Sequence, residues 1–324
     1  MTSPSCSIVI RAYNEEKHLE RLLTGIRQQT LQDVEILLVD SGSTDGTLAS
    51  AARYQVKVLH IRPEEFTFGR SLNLGISEAG SEVVVIASAH VYPVYPDWLE
   101  KLLLPLNDPS VALSYGKQRG GKSTKYSEQQ VFYHWYPDQP QPRQVHPFCN
   151  NANAAVRRSL WSEHPYDETL PGLEDVAWAA WAVQRGMSLA YVPEAEVIHL
   201  HDETPKAVYN RYRREAMAFK RIFPDQRFHF TDFIRLFISN ALSDARHASR
   251  QRVLSRSMSS ILWFRWMQFW GTYQGYQHSG PLTWQLRQTF YYPRGAQAEL
   301  STDERPVEPI QYPETQSIVS SHKE

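Results

Sequence analysis

The sequence predicts an α/β fold in which a mostly parallel sheet is flanked by helices and followed by a helical C-terminal extension. Three observations support this fold class. Short aliphatic runs that end in turn residues alternate with helical patterns as far as Leu106, as in parallel strands joined by right-handed helical crossovers. Residues 35–39 are nearly all aliphatic, which indicates a strand covered on both faces. Beyond Thr204 the recurring patterns are helical.

Composition indicates a globular protein. The chain has 324 residues, a net charge of -1 and 42% hydrophobic residues, so no global electrostatic attraction to nucleic acid is expected. Its two cysteines, Cys6 and Cys149, are too few for a disulfide framework or a four-thiolate zinc site. The sequence starts without a signal-peptide pattern and contains no run of about 18 apolar residues. We therefore expect a cytoplasmic protein that does not span a membrane.

Four units of strand and helix are expected first. Their strands cover residues 7–10, 35–39, 56–61 and 82–87. Asn14 is expected to cap the first helix, whose apolar residues recur at helical spacing. The turns carry no G-x-G-x-x-G pattern, which disfavours an NAD-dependent enzyme because the pyrophosphate needs glycine where the backbone comes close.

Asp40 and Arg70 are the first candidate binding residues. Asp40 follows the most aliphatic predicted strand, and ligands of open α/β sheets bind outside the carboxyl ends of the strands. Asp40 is thus placed either to hydrogen-bond a nucleotide base or merely to cap the turn. Arg70 lies near the start of a helix predicted over residues 69–80, where it could meet phosphate or remain a solvated charge.

Histidines supply a second group of candidates. Ser88 and His90 follow the fourth strand, and an extended backbone would turn both side chains toward the same side. Two short strands are predicted over residues 189–192 and 196–200, and His199 and His201 form an H-x-H pair at the end of the second. Such a pair projects two imidazoles in one direction and could bind a metal ion. Each histidine taken singly could equally be a hydrogen-bonded structural residue.

Residues 116–123 match the G-x-x-x-x-G-K-[ST] pattern of a phosphate-binding P-loop. A P-loop enzyme also needs a long helix directly after the loop and a later strand that ends in a magnesium-binding acid, whereas prolines soon interrupt this chain. The alternative is a flexible basic loop in which Lys117, Arg119 and Lys122 lie over an anionic site.

The second half of the chain supplies two acids and then long helices. Glu174 and Asp175 begin a predicted helix, where the helix dipole favours carboxylates whatever their function. A helix starting at Pro205, a second capped by Thr231 and a third over residues 254–278 follow. The last is dense in aromatic residues. These helices form either a surface for a membrane or a partner, or an ordinary packed core.

These patterns divide the chain into three parts. We predict a main domain over residues 1–222 and a helical subdomain over residues 223–293. A polar, proline-dotted tail over residues 294–324 is expected to be disordered or to wrap around the domain.

Seven spaced motifs carry a family resemblance. They are, in chain order, SIVIRAYNEE, VDSGSTDGT, FGRSLN, the WL that follows Pro96, NNANAAVRRSLW, GLEDVAWA and VIHLH. Together they resemble the GT-A fold glycosyltransferases of family 2, and among these the bacterial rhamnosyltransferase-like members, over residues 5–220. The resemblance implies a Rossmann-like GT-A sheet. It also implies inverting transfer of a sugar from a nucleotide diphosphate donor to an acceptor hydroxyl, in polysaccharide or glycoconjugate synthesis.

The resemblance implies a role for each residue at a motif position. Asp175 would be the general base that takes the proton of the acceptor hydroxyl, and Glu174 would position the acceptor. The residues implied to bind the nucleotide-sugar are Ala12, Tyr13, Asn14, Glu15, Asp40, Arg70, Ser88 and His90.

The metal motif departs from the family pattern. A Ser-Ala-His sequence that ends at His90 stands where D-x-D is usual. We expect a divalent metal at His90, His199 and His201, with Mn²⁺ favoured over Mg²⁺ because imidazole suits transition metals. Lys117 or Arg119 could instead neutralise the diphosphate without a metal ion.

Two other function classes stay open at this point. One is a P-loop kinase or ATPase that uses residues 116–123, and the other is a sugar-nucleotide-binding protein without turnover, suggested by the missing D-x-D. The expected partners of the glycosyltransferase are a nucleotide-sugar donor and a sugar or glycolipid acceptor, with no nucleic acid. Its C-terminal helices could associate with the inner face of a membrane or form an oligomer.

Overall fold

The computed structural model of the chain describes residues 5–201, 203–277 and 307–312. The strands are β1 (Cys6–Ala12), β2 (Val34–Asp40), β3 (Lys57–His60), β4 (Val83–Ser88), β5 (Val91–Pro93), β6 (Val111–Gly120), β7 (Gln141–Gln144), β8 (Asn153–Arg157) and β9 (Ser188–His199). The α-helices are α1 (Leu19–Arg27), α2 (Thr47–Ala51), α3 (Phe68–Ser77), α4 (Trp98–Leu103), α5 (Tyr126–Trp135), α6 (Arg158–Glu163), α7 (Glu174–Gln184), α8 (Pro205–Ile222), α9 (Phe230–Arg250) and α10 (Leu254–Gln277).

A nine-stranded sheet organises the described part of the chain. Its strand order is β3-β2-β1-β4-β8-β6-β9-β5, and β7 pairs with β9. Strands β1 to β4 are parallel, as are β6 and β9. Strands β5, β7 and β8 run antiparallel to their neighbours. The predicted fold class, a mostly parallel sheet flanked by helices with a helical C-terminal region, is confirmed.

The strand register brings the predicted site residues to one edge of the sheet. Ala12 of β1 lies opposite Asp40 of β2, and Arg11 lies opposite Ser88 of β4. His199, at the end of β9, pairs with both β5 and β6. Because the carboxyl ends of parallel strands meet at one edge, the segments that follow β1, β2, β4 and β9 meet there as well.

Buried hydrophobic clusters fill both faces of the sheet. Ile8 of β1 shares one cluster with Trp98 of α4. Its neighbour Val9 belongs to the cluster on the other face, together with Leu72 of α3 and Trp178 of α7. Successive strand residues point to opposite faces, so a strand covered on both sides must be aliphatic throughout. This explains the continuous apolar runs in the sequence.

The C-terminal helices extend one of these cores. Phe219 of α8, Phe233 of α9 and Phe269 of α10 belong to the same buried cluster as Trp178. Within the described residues, no helix combines the length and the apolar character needed to cross a bilayer. The division at residue 222 stays a prediction, since the helices beyond it continue the same core.

Two predicted helix caps are wrong. Asn14 has a left-handed backbone (φ 55°) and its Oδ1 accepts a hydrogen bond from the N–H of Thr44 (2.8 Å), so it ties two loops together and does not cap α1. At the start of α9, the backbone N–H of His229 donates to Asp232 Oδ2 (2.9 Å). This pair forms the cap that was expected from Thr231, because α9 begins one residue before the threonine.

Two predictions on chain segments have different outcomes. The two short strands expected in residues 189–200 are one strand, β9, which pairs with β6 along most of its length. Most of the predicted tail, and residues 278–293 of the predicted subdomain, lie outside the described residues. In the described piece at residues 307–312, the N–H of Ile310 donates to the carbonyl of Val94 (3.0 Å), so this piece lies against the sheet.

Candidate active site

Asp40 ends β2 and caps the turn that follows. Its carboxylate is 2% exposed and accepts hydrogen bonds from the backbone N–H groups of Gly42 (3.1 Å) and Ser43 (3.2 Å). Gly42 has a φ of +90°, a conformation that favours glycine. The structure thus contains the turn cap that was one of the two expectations for Asp40, and its role in binding a nucleotide base stays a prediction.

The loop after β1 is tied to this turn. The N–H of Ser41 donates to the carbonyl of Ala12 (3.1 Å), and the N–H of Glu15 donates to Thr47 Oγ1 (2.7 Å). Tyr13, which lies between Ala12 and Glu15 in this loop, is 57% exposed. The residues predicted to bind the base and ribose therefore lie together at the carboxyl edge of the sheet.

Arg70 lies in the first turn of α3 near the same edge. Its side chain is 48% exposed, and its Nη2 lies 4.0 Å from Glu65 Oε1. The ring of Phe68, two residues earlier, packs against the guanidinium groups of Arg11 (4.8 Å) and Arg214 (4.6 Å). Because Arg11 belongs to the end of β1, the start of α3 borders the candidate donor site.

Three histidines converge at the junction of β5, β6 and β9. The ring centroids of His90 and His199 are 5.0 Å apart, those of His90 and His201 are 5.6 Å apart, and those of His199 and His201 are 4.1 Å apart. One ring nitrogen from each histidine lies within 4.8 Å of the other two. The backbone positions them, since the N–H of Leu200 donates to the carbonyl of His90 (3.0 Å). We call this group the histidine triad.

Each imidazole of the histidine triad has an oxygen partner at Nδ1. His90 Nδ1 lies 2.8 Å from Glu15 Oε1. His199 Nδ1 lies 2.7 Å from Gln118 Oε1, and His201 Nδ1 lies 2.8 Å from Glu128 Oε1. A ring nitrogen that donates to such an oxygen leaves the lone pair on Nε2, which is the arrangement of metal-binding histidines. His199 Nε2 is buried and has no hydrogen-bond partner.

Burial keeps two of these imidazoles neutral. Desolvation lowers the pKa of both His199 and His201 well below its usual value, and the neighbouring imidazoles and Arg211 add to this effect. Neutral imidazole is the form that binds a metal ion. The unpartnered Nε2 of His199 and the three outer oxygen partners therefore fit a divalent cation at the histidine triad.

The two basic residues that could have replaced a metal ion are already paired. Lys117 Nζ lies 2.7 Å from Glu196 and 3.3 Å from Asp138. Arg119 lies 3.3 Å from the same Asp138 and donates to the carbonyl of Tyr136 (2.8 Å). These contacts satisfy both cations, so they favour a metal ion over Lys117 or Arg119 as the partner of a diphosphate.

Glu174 and Asp175 form the first turn of α7. Asp175 is 7% exposed, and its carboxylate accepts hydrogen bonds from the N–H groups of Asn151 (2.9 Å) and Val176 (2.8 Å). Desolvation and the neighbouring charge of Glu174 raise the pKa of Asp175 to about 7. Glu174 Oε1 lies 3.5 Å from Arg11 Nη1. Because Arg11 is near the end of β1, this contact places the acid pair at the carboxyl edge of the sheet, where the candidate donor loops lie.

A cavity opens beside the acid pair. Two aromatic side chains, Trp135 and Phe148, form part of its wall. The other lining residues are Cys149, Asn150, Leu173, Val176, Tyr212, Glu215 and Phe219. Two of them, Val176 and Asn150, adjoin Asp175 and its hydrogen-bond partner Asn151 in sequence. Aromatic walls with a carboxylate suit a sugar ring, whose faces are apolar and whose edge carries hydroxyl groups.

Four residues that contact the candidate site residues are not among the candidates predicted from the sequence. Gln118 and Glu128 hold the triad, and Arg11 and Asn151 hold the acid pair. Arg11 and Asn151 lie inside two of the family motifs, SIVIRAYNEE and NNANAAVRRSLW. Their positions could therefore have identified them as candidates. No sequence pattern could have identified Gln118 and Glu128, because their contacts depend on the pairing of β6 with β9 and on the packing of α5.

The structure rules out the P-loop, which the sequence left open as an alternative. Residues 116–120 belong to β6 and pair with β9, so they cannot form the open loop whose backbone N–H groups surround a phosphate. The pattern matched because glycine is needed where the sheet is crowded: a Cβ on Gly116 would collide with the carbonyl oxygen of Ala195.

We expect Lys122→Ala to leave catalysis unchanged. Lys122 is exposed, and the strand before it leaves no phosphate cradle for its side chain to complete. Initial rates of sugar transfer, measured beside the wild-type chain, test this expectation. A variant that loses both nucleotide binding and turnover would return the P-loop to consideration.

Residues 7–164 match the family model described as glycosyl transferase family 2. Among curated proteins, the O-antigen chain rhamnosyltransferase RfbN of Salmonella typhimurium is 26% identical over 219 residues, which cover 64% of this chain and 69% of that protein. The O-antigen chain rhamnosyltransferase WbaN of Salmonella anatum is 27% identical over 221 residues, covering 64% and 70%.

Solved structures share the fold at low identity. The mannosyltransferase PcManGT of Pyrobaculum calidifontis, in complex with GDP-Man and Mn²⁺, has a TM-score of 0.56 and 18% identity, and the alignment covers 85% of both chains. TarS of S. aureus (residues 1–349), in complex with UDP, has a TM-score of 0.53 and 15% identity, covering 84% of this chain and 90% of that one. These likenesses bear on the fold alone.

Proposed function

Since the chain belongs to glycosyltransferase family 2, we propose that it moves a sugar from a nucleotide diphosphate donor to an acceptor hydroxyl with inversion. One observation supports the assignment of the site: buried Asp175, with its raised pKa, lies at the sheet edge that also carries the candidate donor loops. The names of the two Salmonella relatives support a deoxyhexosyl donor and a growing polysaccharide as acceptor.

Asp175 is the proposed general base. A hydroxyl group is a poor nucleophile, so a carboxylate must take its proton as the oxygen attacks the anomeric carbon. The new bond forms opposite the bond to the diphosphate, which breaks with its electron pair on the leaving oxygen, and the configuration inverts. A pKa of about 7 suits this task, because a base works best near the operating pH.

Glu174 and the adjoining cavity are proposed to hold the acceptor. Glu174 is fixed by Arg11 at 3.5 Å, and Trp135, half-buried on the cavity wall, offers a ring against which a sugar can pack. Glu215 in the same cavity can accept hydrogen bonds from sugar hydroxyl groups. This arrangement would place an acceptor hydroxyl beside Asp175.

The donor is proposed to bind along the loops after β1, β2 and β4. Residues 12–15 and Asp40 would hold the base and ribose, and Arg70 and Ser88 would contact the sugar diphosphate. Tyr13, exposed at this edge, offers a ring on which a base can stack.

The histidine triad is proposed as the metal site, with Mn²⁺ favoured over Mg²⁺. His90, His199 and His201 would hold the ion, and imidazole ligands suit transition metals better than magnesium. A bound divalent ion supplies positive charge to the leaving diphosphate. Glu15, Gln118 and Glu128 fix the ring orientations.

Replacing Glu174 with glutamine should move the acid limb of the pH profile to lower pH. Asp175 must lose its proton to act as a base, so kcat/KM falls as the pH drops through its pKa, and the charge of Glu174 raises that pKa. Removing this charge lowers the pKa of Asp175. The control is Glu163→Gln, an exposed acid paired with Arg185, and an unmoved acid limb in Glu174→Gln would contradict the assignment.

The proposed function is tested first by a thermal-shift screen of nucleotide-sugars. A ligand at a hundredfold excess over its Kd stabilises a protein by about 2.7 kcal/mol, which identifies the donor. Transfer to oligosaccharide acceptors is then followed, and NMR of the product gives the anomeric configuration. Binding without transfer to any acceptor would support the silent sugar-nucleotide binder, and a retained configuration would exclude Asp175 as the base of a direct displacement.

The cytoplasmic location stays a prediction from composition.

A further inference from the structure

Helices α9 and α10 carry an exposed apolar surface. Nine large hydrophobic side chains are exposed in the described residues, and five of them lie on these two helices. They are Phe230, Ile238, Leu242, Leu262 and Trp266, with exposed fractions of 52%, 49%, 49%, 46% and 42%. Exposed apolar groups that cluster in this way mark interaction surfaces. We call these five residues the apolar patch.

Aromatic contacts link the two helices beside the apolar patch: Phe230 packs on Phe233 (5.6 Å), which packs on Trp266 (5.1 Å). Ile238 and Leu242 are four residues apart on α9, and Leu262 and Trp266 are four residues apart on α10, so each pair lies on one helical face. The rings of Phe237 and Trp266 are 5.3 Å apart and join the two faces.

Exposed arginines flank the apolar patch. Arg246, Arg250, Arg252 and Arg256 are all exposed near the α9–α10 connection; we call them the arginine cluster. The only two carboxylates in residues 226–277 are buried: Asp244 is paired with Arg265 at 2.8 Å, and Asp232 with Arg235 at 3.2 Å. The solvent face of the two helices is thus strongly positive, although the whole chain has a net charge of -1.

We propose that α9 and α10 bind the surface of an anionic lipid bilayer. Tryptophan and aliphatic side chains enter the boundary between head groups and acyl chains, while arginines pair with anionic head groups. The apolar patch and the arginine cluster lie on the same helix pair, and the side chains of both are exposed and not packed into the core beside the sheet. The sequence and structure thus distinguish this face from the rest of the molecule by hydrophobicity and by charge.

A second copy of the chain fits this surface less well. In a two-fold dimer the same patch faces itself, so the arginine cluster of one copy would approach that of the other with no exposed carboxylate on either helix pair. Like charges placed together oppose association. An anionic lipid surface supplies the missing negative charge.

The arginine cluster lies near the histidine triad, which bears on how an acceptor could reach the site. The hydroxyl of Tyr126, at the start of α5, donates to Gln251 in the α9–α10 connection (3.0 Å). Two residues further along α5, Glu128 contacts His201 of the histidine triad (2.8 Å). A bilayer on this face would lie near the site and could present a lipid-linked acceptor. This consequence rests on the proposed function, whereas lipid binding does not.

Sedimentation of the full chain with vesicles, without donor or acceptor, tests the proposal. Binding is expected with vesicles of phosphatidylcholine plus phosphatidylglycerol, and it should weaken as salt is raised. The test variant replaces all four residues of the arginine cluster with alanine. Each arginine near an anionic surface contributes up to about fivefold in affinity, so the variant should bind at least about tenfold more weakly.

A matched control removes the same charge elsewhere. Four exposed arginines serve for it: Arg53, Arg62, Arg143 and Arg185, with side-chain exposures of 56%, 71%, 72% and 57%. This control should bind like the wild-type chain. A second variant, Leu242→Ser with Leu262→Ser, should also weaken vesicle binding, and circular dichroism checks that each variant is folded.

Several outcomes would overturn the proposal. They are equal binding to neutral and anionic vesicles, equal loss of binding in the control and the test variant, and no vesicle binding by the wild-type chain. In the last case, sedimentation velocity showing a dimer that Leu242→Ser with Leu262→Ser dissociates would assign the surface to a second copy.

Discussion

Replacing Asp175 with asparagine should lower kcat by about 10²–10⁴-fold, the range that a general base contributes. The amide is nearly the same size, and its oxygen can still accept a hydrogen bond from the N–H of Asn151 or Val176, so the start of α7 should keep its shape. What is lost is the capacity to take a proton. Donor affinity, measured by thermal shift, should remain close to that of the wild-type chain because Asp175 is proposed to contact the acceptor and not the donor.

The matched control for this prediction is Asp225→Asn, which changes an exposed acid and should leave kcat unaffected. Asp175→Asn should be at least as stable as the wild-type chain, because Asp175 is a buried acid whose ionisation is disfavoured. A variant that folds, binds donor and still turns over at the wild-type rate would exclude Asp175 as the base.

The local part of this site could be predicted from the sequence. Parallel strands covered on both faces need aliphatic runs, and the residue after each run must lie at the carboxyl edge. This placed Asp40 and His90 at the same edge of the sheet before any register was known. The H-x-H alternation of His199 and His201 likewise required only an extended backbone.

The remaining contacts depend on which strands become neighbours. Gln118 meets His199 because β6 pairs with β9, a parallel pairing between segments far apart in sequence. Glu128 meets His201 because α5 packs beside them. The same pairing explains the false P-loop, since Gly116 is there to let β9 approach closely. No local pattern encodes such neighbours, so periodicity predicted the strands but not these partners.

Local preferences also failed where tertiary contacts compete with them. Asn14 is a common helix cap, yet its side chain bonds to the turn after β2. The site uses this contact, because it joins the two loops proposed to bind the donor. A residue with strong capping preference was thus used to connect two strand ends.

Removing one imidazole of the histidine triad should abolish metal-dependent activity. His199→Ala takes away a buried nitrogen that has no other partner in the structure, and His90→Ala repeats the test at a more exposed position (27%). Changing even an outer partner of a metal ligand typically costs 10–100-fold in affinity, so either change should weaken Mn²⁺ binding by at least about a hundredfold. Titration calorimetry with Mn²⁺ alone measures this directly, without any substrate.

Changing Glu128, the hydrogen-bond partner of His201, tests the same metal site with a smaller expected effect. Glu128→Gln keeps an oxygen near His201 but removes the charge, so it should weaken Mn²⁺ binding by about 10–100-fold, less than the loss of an imidazole. His247→Ala, an exposed histidine on α9, should bind like the wild-type chain. Chelator should stop sugar transfer, and Mn²⁺ should restore it better than Mg²⁺ because the ligands are imidazoles. Full activity in chelator would instead leave the diphosphate to Lys117 and Arg119, which would then have to exchange Glu196 and Asp138 for the substrate.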